Sequence, residues 1–450
     1  MVFPLPLSAF EEYLLVDSRP AYPMDGFLRL RFSGRFDQAA LYSALVVATQ
    51  RHPLLAARIR RGRRGRWEWF AAPDEPPPIR WLAGLVGEAY PPVSQSIDLT
   101  VESGVRLLVV EHQQRSDLVL QIHHACCDGL GAFQFAAELL VAYAQAVGAP
   151  LTRPWEPLGS VADLRKRGTF GITAGKFLRM IPRQLLGLAD VRPFLQRSPL
   201  PLVPVKPCPA DGPLPAGYPA TAVRQLAESE TAQLRDAASR LGVTSNDLLL
   251  RDLFLTLEEW RQRHVPEHEP GWIRVSVPIN LRRLCNLTVP AANVVSLVFL
   301  DRRSQELAAP AELLGGIHDE MELIKRDHLA LTFMISLQVA RVWPGGLARA
   351  TRADRCFATA VFSNFGAPLA DAPFPQRDGQ LQVGNLVLER ADAMPPWRPC
   401  TPAVFVANAY GGRLSLGLHY DPRVLSAPQA GALVDGFAGR ARAEGTGTTA

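Results

Sequence analysis

Two adjacent histidines, His123 and His124, followed by Asp128-Gly129, are the residues of this chain whose types and spacing best fit chemistry. A neutral imidazole near pH 7 can take a proton from an attacking hydroxyl, amine or thiol. A carboxylate in the turn just after it can hold the local backbone by pairing with a cation elsewhere. A packed histidine and an ordinary Asp-Gly turn would account for the same residues without any chemistry. What favours chemistry is the context. Leu118, Leu120 and Ile122 alternate with Val119 and Gln121, the period of a strand. Asp128-Gly129 turns the chain, and Phe133, Ala136, Leu140 and Tyr143 then recur at helical spacing. If the strand runs through the pair, the two histidines face opposite ways, one into a cleft and the other into packing.

The elements that must position this motif lie in a chain of 450 residues, long enough for two lobes. Hydrophobic content of 48% and charged content of 20% describe a soluble globular protein with a large core. A net charge of +5 suits an anionic ligand or carrier and is too weak to imply nucleic acid. The six cysteines form no CxxC pair, so a zinc ribbon or disulfide framework is not expected, and the reducing cytoplasm is the natural compartment. The opening MVFPLPLSAFEEYLLVDS has acidic residues and no positive region before an apolar run, unlike a signal peptide. No window reaches the 18 apolar residues of a membrane span.

Before the motif, Ser8 and Glu11 form a capping box for a short helix. Residues 27–32 alternate as a strand ending at Gly34, and Asp37 caps a helix that stops at Arg51-His52-Pro53. His52 reads as a structural, helix-terminal residue. Residues 150–220 are proline-rich and read as a connector. Within it, the basic segment 165–206 sets Arg165, Lys166, Arg167, Lys176, Arg179, Arg183, Arg192, Arg197 and Lys206 against one acid, Asp190. That is a solvated cationic face, a dock for an acidic carrier or coenzyme A, or a membrane contact. After it, Gly242 closes one helix and Thr244 to Asp247 cap the next, with Asn246 and Asp247 adequately explained as capping. Residues 273–282 read as a buried strand ending in polar residues, 293–300 as a central strand, 361–366 as a strand ending in SNFG, and Leu414, Leu416 and Leu418 as a last strand. Pro266 spoils the i,i+4 pair His264 and His268 as a metal site. There is no G-x-S-x-G elbow and no phosphate-cradling glycine motif.

His123-His124-Ala125-Cys126-Cys127-Asp128-Gly129 resembles the HHxxxDG signature of the superfamily related to chloramphenicol acetyltransferase. That superfamily includes condensation domains of peptide synthetases, wax-ester synthases and polyketide-associated acyltransferases, and the free-standing members are the most similar. RHPLL (51–55), GVTSNDLLL (242–250) and SNFG (363–366) support the likeness, while the DFGWG element of the plant-type branch is missing.

The resemblance implies an α/β protein of two chloramphenicol-acetyltransferase-like lobes, mixed sheets flanked by helices, with an active-site tunnel between them. The expected division is 1–155 for the first lobe, 156–220 for the crossover and 221–450 for the second. It implies acyl transfer from a thioester to an alcohol or amine in secondary metabolism. His124 would be the base, with Asp128 and Gly129 beside it in the catalytic motif and His123 packed behind. Arg282, rather than Arg283, would pair with Asp128 and orient the turn. Ser363 and Asn364 would bind substrate, Ser363 as an oxyanion donor. No bound cofactor or metal is expected. The acyl donor would be acyl-CoA or a phosphopantetheine-linked acyl group on an acyl-carrier protein, and the acceptor a small molecule. A wax-ester or diacylglycerol-type enzyme at a membrane surface and a non-catalytic condensation-like scaffold are the alternatives.

Overall fold

The computed structural model describes residues 2–446 apart from 64, 72–75, 85–86, 88–89, 157–158, 173–174, 176–193, 195, 205–208 and 266–270. Arg115–His123 is the strand on which the motif is carried, and it lies inside a sheet. Asp25–Ser33 pairs antiparallel on one side and Val105–His112 on the other, so eight of its nine residues are buried. That explains its near-continuous apolar run, since a strand covered on both faces has no solvent side. Asp128 then caps the helix Gly129–Ala146, accepting from the Gly131 amide at 2.8 Å. Phe133, Phe135, Leu139, Leu140 and Tyr143 bury this helix against Gln38–Arg51 and the sheet.

Among the described residues this first sheet has seven strands. Two of its central neighbours, Asp25–Ser33 and Arg115–His123, come from the first third of the chain. Three others, Gln376–Arg377, Gln380–Val383 and Leu386–Met394, come from the last third. The 221–450 segment is therefore not self-contained: its Leu386–Met394 strand crosses to pair with Asp25–Ser33, with a bulge between Leu388 and Arg390. Burial selects this register. It sets Leu388 and Ala391 in the core and lets Asp392 meet Arg29 at 2.9 Å.

Among the described residues the second sheet has six strands, in the order Val295–Arg303, Trp272–Asn280, Ala360–Asn364, Ala403–Tyr410, Arg413–Tyr420 and Ala220–Gln225. The parallel pairs are central and the antiparallel pairs lie outside them. Ser276 pairs with Val361, and side chains alternate along each strand. Ser276, Pro278, Val361 and Ser363 consequently share one face, which is the face turned to the functional site.

In the crossover, the described residues change the expectation of one continuous cationic face. Arg165 and Lys166 are exposed, but Arg167 is buried and forks onto Glu11 at 2.6 and 2.8 Å. It ties the crossover to the first helix, and the burial is bearable because both carboxylate oxygens are met. Arg197 lies over Trp272 and 3.5 Å from Asp301. Lys176, Arg179, Arg183, Arg192 and Lys206 lie outside the described residues. So does His268; His264 stacks on Trp260 with ring centroids 3.7 Å apart. No helix of the described residues is long and apolar enough to cross a membrane.

Candidate active site

His123 is the last residue of its strand, opposite Asp25, and His124 is the first beyond it. His123 is buried, and its Nδ1 accepts the Ala125 amide proton at 3.1 Å. The ring proton therefore belongs on Nε2, which faces Ser18 Oγ at 3.3 Å. Burial, with the neighbouring His124, pushes its pKa down to about 3. This imidazole stays neutral with both nitrogens engaged.

His124 is held differently. Its amide donates to Met24 O at 2.7 Å, and its ring stands edge-on to Phe10 at 6.4 Å. The ring lines two cavities, of about 720 and about 120 Å³. Nδ1 is buried with no hydrogen-bond partner, so Nε2 is the nitrogen that can meet a ligand. Burial holds its pKa below the usual histidine value, against the raising pull of its own backbone carbonyl and of Asp128. It is therefore unprotonated at neutral pH, the state a base requires.

Both carboxylate oxygens of Asp128 are engaged. Oδ1 accepts from Gly131 N at 2.8 Å; Oδ2 accepts from Val294 N and from Arg282 Nη1, both at 2.8 Å. The expected pairing with Arg282 is present, and Arg282 Nη2 also donates to Ala292 O at 3.0 Å. Arg283 is exposed. Gly129 offers space rather than a functional group, since a Cβ there would lie 2.2 Å from Phe365 Cε1.

Four consecutive residues of the second half close onto this motif and onto His52. Ala291 N donates to His52 Nδ1 at 2.8 Å, and Ala292 O receives Arg282. Asn293 Nδ2 donates to the carbonyls of His124 and Ala125 at 2.8 and 2.9 Å, and Val294 N reaches Asp128. Asn293 was not among the residues expected at the site. Read by periodicity it merely heads a strand, and a polar residue before the run VVSLVFL is its one signal. The strand itself begins at Val295, leaving 291–294 free to act as a latch.

Ser363 lies near the end of Ala360–Asn364 and lines both cavities with His124. Asn364 lines the smaller one, but its amide is engaged: Nδ2 donates to Asn246 and Oδ1 accepts from Gly366 N at 2.9 Å. Asn246 and Asp247 stay with the helix cap, where Asp247 closes a capping box with Thr244. The larger cavity is walled mainly by apolar groups, among them Phe10, Leu14, Leu297, Phe299, Phe333 and Leu337. No cluster of metal-ligating side chains occurs among the described residues.

No family model matches the chain. Two uncharacterized proteins of Mycobacterium tuberculosis, from strains CDC 1551 and H37Rv, are each 26% identical over 376 residues, 80% of this chain and 83% of theirs. Among solved structures, the first condensation domain of the CDA synthetase superposes with a TM-score of 0.68 at 15% identity, over 99% of this chain and 96% of that one. This chain has the condensation-domain fold. Polyketide synthase associated protein 5 from M. tuberculosis shares the fold at a TM-score of 0.59 and 18% identity, over 96% of this chain and 98% of that one. So does a variant starter condensation domain of rhizomide synthetase in complex with C8-CoA, at 0.66 and 13%, over 99% and 96%.

Proposed function

We propose that the protein is an acyltransferase that moves an acyl group from a thioester to an alcohol or amine, with His124 as general base. One observation carries this reading. His124 is common to two cavities of different size, and burial of its Nδ1 leaves Nε2 as the nitrogen that can meet a ligand. Reactants entering from the two sides would meet at Nε2, so much of the rate would come from orientation.

The acceptor hydroxyl or amine attacks the thioester carbonyl as Nε2 takes its proton. The resulting oxyanion receives a hydrogen bond from Ser363. Collapse expels the thiolate, which recovers the proton from the imidazolium. Asp128 and Arg282 take no proton; they fix the turn that follows the base. No covalent acyl-enzyme is needed. The donor is acyl-CoA or an acylated carrier protein, in line with the fold neighbour that holds C8-CoA.

The test is a mass-spectrometric screen of acyl-CoAs and acylated carrier proteins against alcohol and amine acceptors, with wild type and His124→Ala. Product from wild type and a loss of roughly 10²–10⁴-fold in the variant is the expected result. Turnover that survives within a few-fold in folded variant would remove the mechanism. Transfer seen only with lipid alcohols in vesicles would favour a wax-ester or diacylglycerol-type enzyme. Absence of transfer from every donor would favour a non-catalytic scaffold.

A further inference from the structure

We infer that the outer side of the helix Leu331–Val342, with Val339, Val342 and Trp343 at its end and Arg349 beside them, docks the protein onto an anionic lipid surface at the mouth of the large cavity. The inference concerns delivery and not chemistry, so it stands whether or not His124 is a base.

Ten large apolar side chains are exposed among the described residues, and scattered singly they would need no explanation. Three of them fall within five positions: Val339 is 57% exposed, Val342 77% and Trp343 63%. The helix that ends there, LTFMISLQVARV, is apolar on every side, a pattern that belongs to a helix covered all round. Leu331, Met334 and Leu337 do pack inward, and Phe333, Ser336 and Ala340 line the large cavity. The third side, where Val339 and Val342 stand, is left exposed. Val16 extends the patch. Its helix, Ala9–Asp17, packs on this one, and Glu12, a turn before Val16, meets Arg341 at 2.7 Å. An apolar patch of this kind marks an interaction surface.

Charge says what covers it. Residues 328–353 contain Arg341, Arg349 and Arg352 and no Asp or Glu. Arg341 is matched by Glu12 and Arg352 by Asp354. Arg349 is exposed, and Arg19 is held to the same segment by donating to Thr351 O at 2.5 Å; neither has an ion pair among the described residues. The face is therefore apolar with a cationic excess, the make-up that enters a headgroup layer and is held by its negative charge. The indole at its edge is the ring that settles at headgroup level. A second copy of the chain would set the patch on itself and bring its arginines together. The cavity supplies the other argument. Exposed Arg349 and Leu323 line it, as does Ala340 next to Val339, so it reaches the surface beside this patch. Its walls are mainly apolar and enclose about 720 Å³, room for a lipophilic ligand. A bilayer against that opening would pass such a ligand in without exposing it to water. An acidic protein docked there would account for the arginines but not for an apolar patch at the mouth of an apolar cavity.

The experiment is co-sedimentation of the full chain, without substrate, with phosphatidylcholine vesicles and with mixed phosphatidylcholine and phosphatidylglycerol vesicles. Wild type is expected to pellet with the anionic vesicles and to bind the neutral ones roughly ten-fold more weakly. Val342→Ser/Trp343→Ser should weaken binding roughly ten-fold or more and Arg349→Glu about three-fold or more, while Arg165→Ala/Lys166→Ala in the crossover should leave it unchanged. With lipids brominated in the acyl chain, tryptophan fluorescence should be quenched in wild type and largely spared in Trp343→Phe. Wild type that stays in the supernatant overturns the proposal, and that result needs no variant to fold. So do Val342→Ser/Trp343→Ser protein that sediments like wild type, quenching that persists in Trp343→Phe, and binding lost only through the crossover pair. A dimer or a carrier-protein complex that needs Val342 and Trp343, with no vesicle binding, would overturn it too and name a second copy or an acidic protein as the occupant. No turnover is measured, so a failure here leaves the acyltransferase reading intact. Vesicle binding by a chain that transfers nothing would count against that reading and leave this one standing.

Discussion

His52 Nδ1 accepts a hydrogen bond from Ala291 N at 2.8 Å across 239 residues of sequence. The other ring nitrogen lies 3.1 Å from Glu138 Oε2, on the helix that Asp128 caps, and all three partners are buried. His52 therefore joins the end of one helix, the motif helix and the latch that grips His124. Replacing it with Ala leaves a buried amide unmet and takes from a buried carboxylate one of its two partners, Arg51 being the other. The expected loss is roughly 2–4 kcal/mol of stability, read as a lower urea midpoint at pH 7. A change of about 0.5 kcal/mol or less, the size of an ordinary surface substitution, would mean that His52 is only a cap.

Arg282 and Asp128 make a second such joint, since the guanidinium meets both Asp128 Oδ2 and Ala292 O. Asp128→Ala and Arg282→Ala should each lower turnover by roughly 10–100-fold, the scale of a misplaced catalytic group. The double variant should be little worse than either single one. Fully additive losses would show that the two residues act apart.

Asp25 gives a pH dependence with a definite sign. Its side chain is buried, accepting from Ile97 N at 3.0 Å and Gln121 Nε2 at 2.7 Å through Oδ2, while Oδ1 has no partner. Burial pushes its pKa from 3.8 up to about 6, against those hydrogen bonds. Between these values the folded protein holds a proton that the unfolded chain has released. Stability therefore falls as pH rises from about 4 to about 6, by roughly 2–3 kcal/mol at about 1.4 kcal/mol per unit. Asn at this position does not titrate. Urea unfolding at several pH values should show the stability of Asp25→Asn relative to wild type rising across that window. A difference that stays flat would refute the ionisation. An offset constant with pH would reflect only the altered hydrogen bonding.

How much of this was legible in the sequence depends on whether a residue acts locally. Alternation over 118–122, the Ser8 and Asp37 caps and the turn at Asp128 are set by neighbours in the chain, and the structure follows them. The two-lobed condensation-type architecture and the Arg282 partnership were legible through the resemblance of the HHxxxDG motif. Asn293 was not, because what it touches is 168 and 169 residues away and its position before a strand is unremarkable. Arg167 misled for a related reason. Composition counts a charge without saying whether a Glu11 waits for it in the core. The pairing of Leu386–Met394 with the first sheet is likewise a choice between two available edges, and periodicity carries no record of which edge wins.

Gly129 and Phe365 provide the last prediction, because their contact joins the motif to the strand end that carries Ser363. Phe365 packs against Phe133 at 5.7 Å, and its amide donates to Ala407 O at 2.9 Å, so the ring cannot retreat freely. An alanine Cβ at position 129 would stand 2.2 and 2.7 Å from its Cε1 and Cζ atoms. Gly129→Ala should therefore cost about 1–3 kcal/mol by overpacking, and it should disturb the smaller cavity, which both residues line. Phe365→Leu removes the ring edge and makes room. The double variant should then be more stable than the sum of the two single losses, by about 0.5–3 kcal/mol of coupling, as measured by urea unfolding of all four proteins. Simple additivity would mean that the alanine is accommodated by the turn and not by the aromatic ring. Activity recovering with stability in the double variant would tie the cavity, rather than the turn, to turnover.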